Sequence, residues 1–469
     1  MHENDNQLVR VLSRKDVLVL AFGAMIGWGW VVLAGTWVKT AGSVGAMIAF
    51  AIGGLMVALV GLTYSELTAA MPFVGGEHVF TFRGLGANWS FVATWAIILG
   101  YVSVVAFEAV ALPTVVDYLV PNYQKVFLWN IAGWDVYLTW ALVGVAGSLL
   151  MTYVNYIGVK MAAFVQLVFT LIIGVVGLLF ITGGFVNGST AHMQPLLFGG
   201  AKGIFAVVIM TPFMFVGFDV IPQAAEEIDL PYNMIGKLLI LSVILAAAWY
   251  ILIILGVSRA LTASQLAETS LATADSMAAV FGSPFWGKIM VLGGIGGILT
   301  SWNAFYVGGS RAIYAMAEAK MLPGFLGKLH PKFKTPTNAI LMIGLLSSIA
   351  PFFGRKMLVW LVDAGGLSIV LAYLLVSVSF LVLRYKEPEM ERPFTVSYGK
   401  VVGVGASLLS LMFVLLYLPG MPAALVWPYE WAIAGGWALV GLIFWVRARS
   451  SYGKTATRDI MVEKLKLDC

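Results

Sequence analysis

Thr211-Pro212-Phe213-Met214-Phe215-Val216-Gly217-Phe218-Asp219-Val220-Ile221-Pro222-Gln223-Ala224-Ala225-Glu226-Glu227 is the stretch that decides the fold. It lies in an apolar segment long enough to cross a bilayer, yet it carries two prolines, a glycine and a carboxylate that a plain anchor does not need. The spacing predicts an interrupted helix. Hydrocarbon cannot satisfy the N–H and C=O groups a break releases, so irregular backbone at that depth survives only buried in protein or lining a cavity. The stretch is therefore a candidate binding site.

A second interruption, Gly23-Ala24-Met25-Ile26-Gly27-Trp28-Gly29, lies in the first apolar segment. The two breaks fall near the starts of consecutive halves of the chain, and paired breaks in corresponding places point to the central site of an inverted-repeat carrier.

Composition agrees with a membrane setting. Of 469 residues, 60% are hydrophobic and 11% charged, against roughly 25% charged in soluble domains. Mean hydropathy is +0.93. Cys469 is the sole cysteine, which excludes a disulfide framework and a cysteine-rich metal site, and the net charge of +5 is no argument for nucleic acid. The N-terminus is polar to Asp16 and lacks a small-residue cleavage site after a short apolar core, so no cleavable signal peptide is expected.

About 20 apolar residues cross a bilayer. On that measure spans are expected near 17–40, 44–70, 89–119, 136–156, 160–184, 203–225, 233–257, 286–316, 337–353, 357–383, 400–419 and 428–448, giving an all-α protein with twelve transmembrane helices. With the N-terminus inside, 21 of the 28 Lys and Arg residues fall on the inner side. That bias places both termini in the cytoplasm and loop 259–285 outside, in a cytoplasmic membrane.

Between spans two and three, Pro72 to Gly84 reads as a short amphipathic helix at the inner surface. Loop 259–285 reads as a cap over the outer face, since Leu266 to Ala279 alternates loosely at helical spacing. Lys320 to Pro336, with four lysines and His330, reads as a solvated loop near headgroups, and the tail from Arg447 as an interfacial helix or a disordered segment. His2, His78, His192 and His330 all fall in expected loops; no Walker loop, zinc helix or haem motif is present. No cofactor, no metal and no enzymatic activity are expected.

Five motifs then occur in order. They are the break Gly23 to Gly29; Tyr64-x-Glu66-Leu67 with Pro72-x-x-Gly75-Gly76; and Gly217-Phe218-Asp219 with Ala225-Glu226-Glu227. Arg311 to Ala317 follows, with Leu322-Pro323, His330-Pro331 and Thr335-Pro336, and last comes Arg392-Pro393-Phe394. Together, over residues ~10–450 and the twelve spans expected on length, they resemble the amino acid–polyamine–organocation transporters, amino acid permease type. The resemblance implies a leucine-transporter-type fold: a cytoplasmic segment 1–16, helices 1–5 over 17–184 and helices 6–10 over 203–383 as inverted repeats. Peripheral helices 11–12 over 400–448 and a cytoplasmic tail 449–469 complete it. It also implies a central site beside the breaks in helices 1 and 6. Physics agrees, because a broken helix aims N–H groups at anions while exposed carbonyls suit ammonium, and an amino acid carries one of each.

The expected substrate-binding residues are Ala24, Met25, Ile26, Gly27, Trp28 and Gly29 from the first break, and Phe213, Met214, Val216 and Gly217 from the second. Gly27 and Gly29 also suit close helix packing, but opposite a matching break the site reading leads. At Trp28 many members of the family have a small hydroxyl residue; inward it narrows the pocket, outward it only packs. By resemblance Phe213 closes over the substrate, Phe305 is a second such aromatic and Ser103 lines the site; ordinary core packing competes for both phenylalanines. Glu108 is five residues beyond Ser103, about 140° around a helix, which puts it beside the site as a titratable group. Asp219 is expected to cap the half-helix beginning at Val220, ahead of a functional role for a carboxylate at depth. Glu226, Glu227 and Asp229 belong at the inner end of helix six, where pairing with Lys or Arg would make a gate.

Several relatives place a lysine after a Gln-x-x-x-Thr pattern in helix five. Here Gln166-Leu167-Val168-Phe169-Thr170 is present but the lysine position reads Ile173, so that coupling device is absent. Thr300 and Ser301 could offer oxygens to a hard cation, or bond their own helix backbone. The expected function is a secondary transporter of a small amino acid or related amine working by alternating access. Exchange or facilitated transport leads, then sodium coupling through Thr300 and Ser301, with proton coupling through Glu108 also open. A channel or receptor is disfavoured by the paired breaks and the lack of a ring of pore charges. A polyamine carrier would need at least two acids facing its ligand, and only Glu108 is a candidate. The particular substrate and the oligomeric state stay open.

Overall fold

The first apolar segment folds as two helices, α1 (Arg14–Met25) and α2 (Gly29–Ala41), bent by 41° at the break. In this computed structural model the described residues are 8–120, 122–269, 271–421, 424–453 and 455–466; residues 1–7 of the expected N-terminal segment, with His2, and also Lys454 and Cys469, lie outside them. The chain continues through α3 (Ser43–Ala70), α4 (Glu77–Leu85), α5 (Ala87–Leu119), a hairpin of β1 (Phe127–Ile131) and β2 (Trp134–Tyr137), α6 (Leu138–Tyr156) and α7 (Val159–Asn187). The second broken segment is α8 (Gly200–Val208), α9 (Thr211–Phe215) and α10 (Val220–Gln223). Then follow α11 (Tyr232–Ala260), α12 (Ala263–Glu268), α13 (Ala272–Phe281), α14 (Pro284–Glu318), α15 (Thr337–Ile349), α16 (Met357–Lys386), α17 (Gly399–Leu416), α18 (Tyr429–Tyr452) and α19 (Ala456–Leu465).

Among the described residues ten helices are long and apolar enough to cross a membrane, eleven with the bent pair α1 and α2 taken as one span. The remaining expected span, 337–353, is a shorter apolar helix. The most enclosed helix is α5, whose apolar window is 94% buried; α14 and α16 pack along it, while α18 is only 11% buried and lies at the periphery. The central helices are thus those expected to carry the site.

Two readings, both on the segment after Pro72, need correction. The segment after Pro72 is a helix, but it is buried in the bundle and does not lie on the surface. Its polar residues looked suited to headgroups, yet each finds a protein partner: Glu77 takes a bond from Gln223, His78 lies 2.8 Å from the Ser90 hydroxyl and Arg83 pairs with Glu387 at 2.6 Å. His78 therefore sits in a helix, not a loop. The helical spacing read in loop 259–285 corresponds to two helices, α12 and α13, and α13 packs on α2, with the Thr273 hydroxyl donating to the Trp30 carbonyl at 3.0 Å. Ala272 is consequently buried. Of the two alternatives read for the tail, a helix is present: α18 runs on to Tyr452, and beyond it lies α19, tied to the bundle by Lys464 and Glu226 at 3.2 Å.

The ion pairs Glu66 with Arg384 and Arg392, Arg83 with Glu387, Glu227 with Arg311 and Glu226 with Lys464 gather on the face of the termini. Charge at that face suits the cytoplasmic side. Cysteines at Gln265 and Lys332, both exposed, should label from opposite sides of sealed vesicles with an impermeant maleimide. Labelling from the same side refutes this topology.

Candidate functional site

At the second break α9 ends on Phe215, Val216 is extended, and Gly217 takes φ +138°, a conformation side chains with a Cβ rarely adopt. A Cβ built on Gly217 would lie 2.7 Å from the Ala24 Cβ and 3.0 Å from the Met25 nitrogen. Glycine thus lets the two breaks touch backbone to backbone. On the neighbouring contact Met214 fills the space beside Gly29, where an added Cβ would meet its sulfur at 2.6 Å.

Tyr250 of α11 joins the breaks. Its hydroxyl lies 2.7 Å from the Met25 carbonyl oxygen and 3.0 Å from that of Met214, so one donor is shared between carbonyls that both breaks release. Rings of Trp37, Phe50 and Phe215 surround Tyr250 and fix its position.

Asp219 does not cap α10. It adopts helical backbone angles, not the extended ones of an N-cap residue, and makes no capping bond with its side chain. Its carboxylate instead accepts from the Gly217 N–H at 2.7 Å and from the Tyr101 hydroxyl at 2.9 Å. The carboxylate therefore secures the break itself.

A cavity of about 20 Å³ opens between the breaks, lined by Ala24, Met25, Gly27, Trp28, Gly29, Phe213, Met214, Phe305, Glu108 and Ser301 together with Val104, Phe107 and Tyr250. Ile26, Ser103, Val216, Gly217 and Thr300 are buried next to it but do not line it. Ser103 lies behind Phe213 against Gly365 of α16. Trp28 contributes to the lining while its ring rests on Gly294 of α14, so both orientations considered from sequence hold in part. Glu108 lies in the lining: one carboxylate oxygen accepts from the Ser301 hydroxyl, and the other is buried without a partner. Ser301 and Thr300 also donate to the Gly297 carbonyl at 3.0 Å each. Ile173 packs against Gly297.

The cavity is closed unequally on its two sides. Toward the termini, Glu227 and Arg311 form a bidentate pair at 2.8 and 2.9 Å with 2% and 1% exposure. Glu226 accepts from the Val74 N–H at 3.0 Å, and the backbone of Val11 and Leu12 binds the Glu227 carbonyl. Above these, Phe218 packs between Tyr64 and Tyr373. Burial, with the charge of Asp219 second, pushes the Glu77 carboxyl in this region well above the usual carboxylate range. Toward the opposite face a vestibule of about 400 Å³ is lined by Val32, Thr36, Met210, Arg355 and Asp363, and Phe107 borders both it and the cavity.

Two broken spans that face each other around an enclosed cavity, in a bundle of apolar helices, define a multi-pass membrane transporter. The profile of the amino acid permease family matches residues 16–457, and the chain belongs to that family. It is similar to the branched-chain amino acid permease BcaP of Bacillus subtilis (strain 168), 29% identical over 434 residues that cover 88% of this chain and 89% of that one. The methylthioribose transporter of the same organism is 30% identical over 431 residues with the same coverage. Its serine/threonine exchanger SteT is 28% identical over 354 residues, 72% of this chain and 76% of the relative.

A methyl at Gly27 would meet the Ser301 hydroxyl at 2.7 Å and Glu108 at 3.3 Å. Gly27→Ala should therefore weaken binding of the best amino acid from a twenty-member thermal-shift panel by about tenfold, about 1.4 kcal/mol, while the protein stays monodisperse in detergent. Wild-type affinity would refute the site.

Proposed function

We propose that this chain is a secondary transporter that moves a small amino acid, or a related amine, across the cytoplasmic membrane by alternating access. The observation that carries the reading is the buried, unpartnered oxygen of Glu108 in the wall of a cavity flanked by two helix breaks. A buried carboxylate calls for a cationic partner, which a substrate ammonium supplies. The N–H groups of Val31 and Val32 in the first turn of α2 go to the Trp28 carbonyl, which leaves Gly29 and Trp30 at the positive end of the helix, a place for the substrate carboxylate. Phe213 and Phe107, 5.6 Å apart between ring centroids, close the cavity toward the vestibule.

About 20 Å³ holds roughly one water, so admitting an amino acid requires the breaks and Phe107 to move. The unequal closure supports such a cycle: the vestibule side is held by aromatic rings, and the other by the Glu227–Arg311 pair, the Glu226 contacts and the N-terminal segment. The five-plus-five inverted repeat, helices 1–5 over 17–184 and 6–10 over 203–383, is supported by the matching places of the two breaks.

Transport is proposed to run as exchange or facilitated movement. Thr300 and Ser301 already donate to the Gly297 carbonyl, and Ser301 also to Glu108, which favours this over a sodium site at those hydroxyls. Uptake into proteoliposomes should then depend on internal amino acid more than on an imposed sodium or proton gradient. Strong sodium dependence that disappears in a Thr300→Val and Ser301→Ala double variant would overturn the exchange reading.

A further inference from the structure

A cavity far larger than the one between the breaks lies away from them, between α5, α16 and α18. It measures about 560 Å³ and is walled by Phe91, Trp95, Leu99, Leu371, Trp431 and Leu442, with Asn88 and Ser368 as its polar exceptions. Along α18 it runs from Trp431 to Trp445, fourteen residues or ~21 Å at 1.5 Å each, against ~15 Å for one leaflet of a ~30 Å core. The crevice exists because α18 touches its neighbours through a narrow seam. Trp95 and Trp437 stack at 4.4 Å and each indole N–H donates to the other's backbone carbonyl at 2.8 Å, holding the helices together at one place and apart elsewhere.

At the end nearest the termini the crevice meets a smaller pocket that shares Asn88, Phe91 and Trp445 with it and adds Lys320, Arg449 and Thr457. Arg449 gives one N–H to Asn88 at 2.9 Å and stacks on Trp445 at 4.0 Å; Lys320 sits over the Tyr452 ring. A guanidinium carries five N–H donors, so most of those of Arg449 remain for a ligand. Apolar length leading to a basic mouth, with tryptophans along it, is the complement of one lipid tail and its phosphate.

We propose that this crevice binds one anionic phospholipid of the leaflet on the side of the termini, with an acyl chain between α5, α16 and α18 and the phosphate at Arg449 and Lys320. Leu367 and Ser368 of α16 touch the chain, and Gly365, less than one turn earlier, backs Ser103 and Phe213. The lipid therefore wedges the helix that supports the wall of the central cavity. The lipid site stands independently of the transport reading; its effect on the cavity rests on it.

Native mass spectrometry of protein purified from phosphatidylglycerol and phosphatidylcholine mixtures tests the site directly. The wild type should retain one phosphatidylglycerol per chain. The Arg449→Ala and Lys320→Ala double variant should retain about tenfold less, a change of about 1.4 kcal/mol, while Arg449→Lys keeps most of it. Ala438→Trp should fill the crevice and expel the lipid with the head-group residues intact. Equal retention in the wild type, the double variant and Ala438→Trp, no preference over phosphatidylcholine, or a dimer through α18 in place of lipid would each overturn the proposal.

Discussion

A helix broken at membrane depth must find partners for the groups that the break releases, and among the side chains that meet that demand here two stand at the junction of the breaks. The Tyr250 hydroxyl serves a carbonyl from each break, Met25 and Met214, and the Asp219 carboxylate takes the Gly217 N–H. Because the tyrosine is shared, neither break can shift without disturbing the other. Its ring is held by Trp37, Phe50 and Phe215, which ties α11 to the geometry of both. The cavity, its Glu108 and its aromatic wall all follow from that junction.

The same arrangement explains why closure differs between the two faces. The Glu227–Arg311 pair is almost fully removed from solvent, and breaking one partner of such a pair leaves a buried charge at a cost of about 3–5 kcal/mol. In the proposed cycle, opening that side is thus a concerted event involving the N-terminal segment, Phe218 and its tyrosines. On the vestibule side the ring of Phe107 borders both spaces, and a ring can rotate without exposing a charge.

Much of this was legible in the sequence, and the reasons for the remainder are physical. The breaks announced themselves because proline and glycine in an apolar run have few other uses. The burial of α4 did not, since a polar stripe reads the same whether it meets headgroups or, as here, Gln223, Ser90 and Glu387. Asp219 reads as a cap in the sequence and is not one in the structure, because capping depends on backbone angles that composition does not reveal. Tyr250, Phe107 and Val104 carried no local signal at all: each is one more apolar or aromatic residue in a long helix, placed at the site by packing. The Asn130 to Gly133 turn, where the Asn130 side chain accepts from the Gly133 N–H at 3.1 Å, was the available cue to the hairpin and lies between segments read only as spans.

The junction is tested most directly by comparing Tyr250→Phe with Tyr417→Phe in amino acid binding by thermal shift. Both remove one buried hydroxyl that serves backbone carbonyls of a broken segment, Tyr417 donating to Ile209 at 2.8 Å, and each should cost roughly 1–3 kcal/mol of stability. The account predicts that Tyr250→Phe loses substrate binding by at least about tenfold while Tyr417→Phe binds as the wild type does. Equal binding by Tyr250→Phe and the wild type would contradict it.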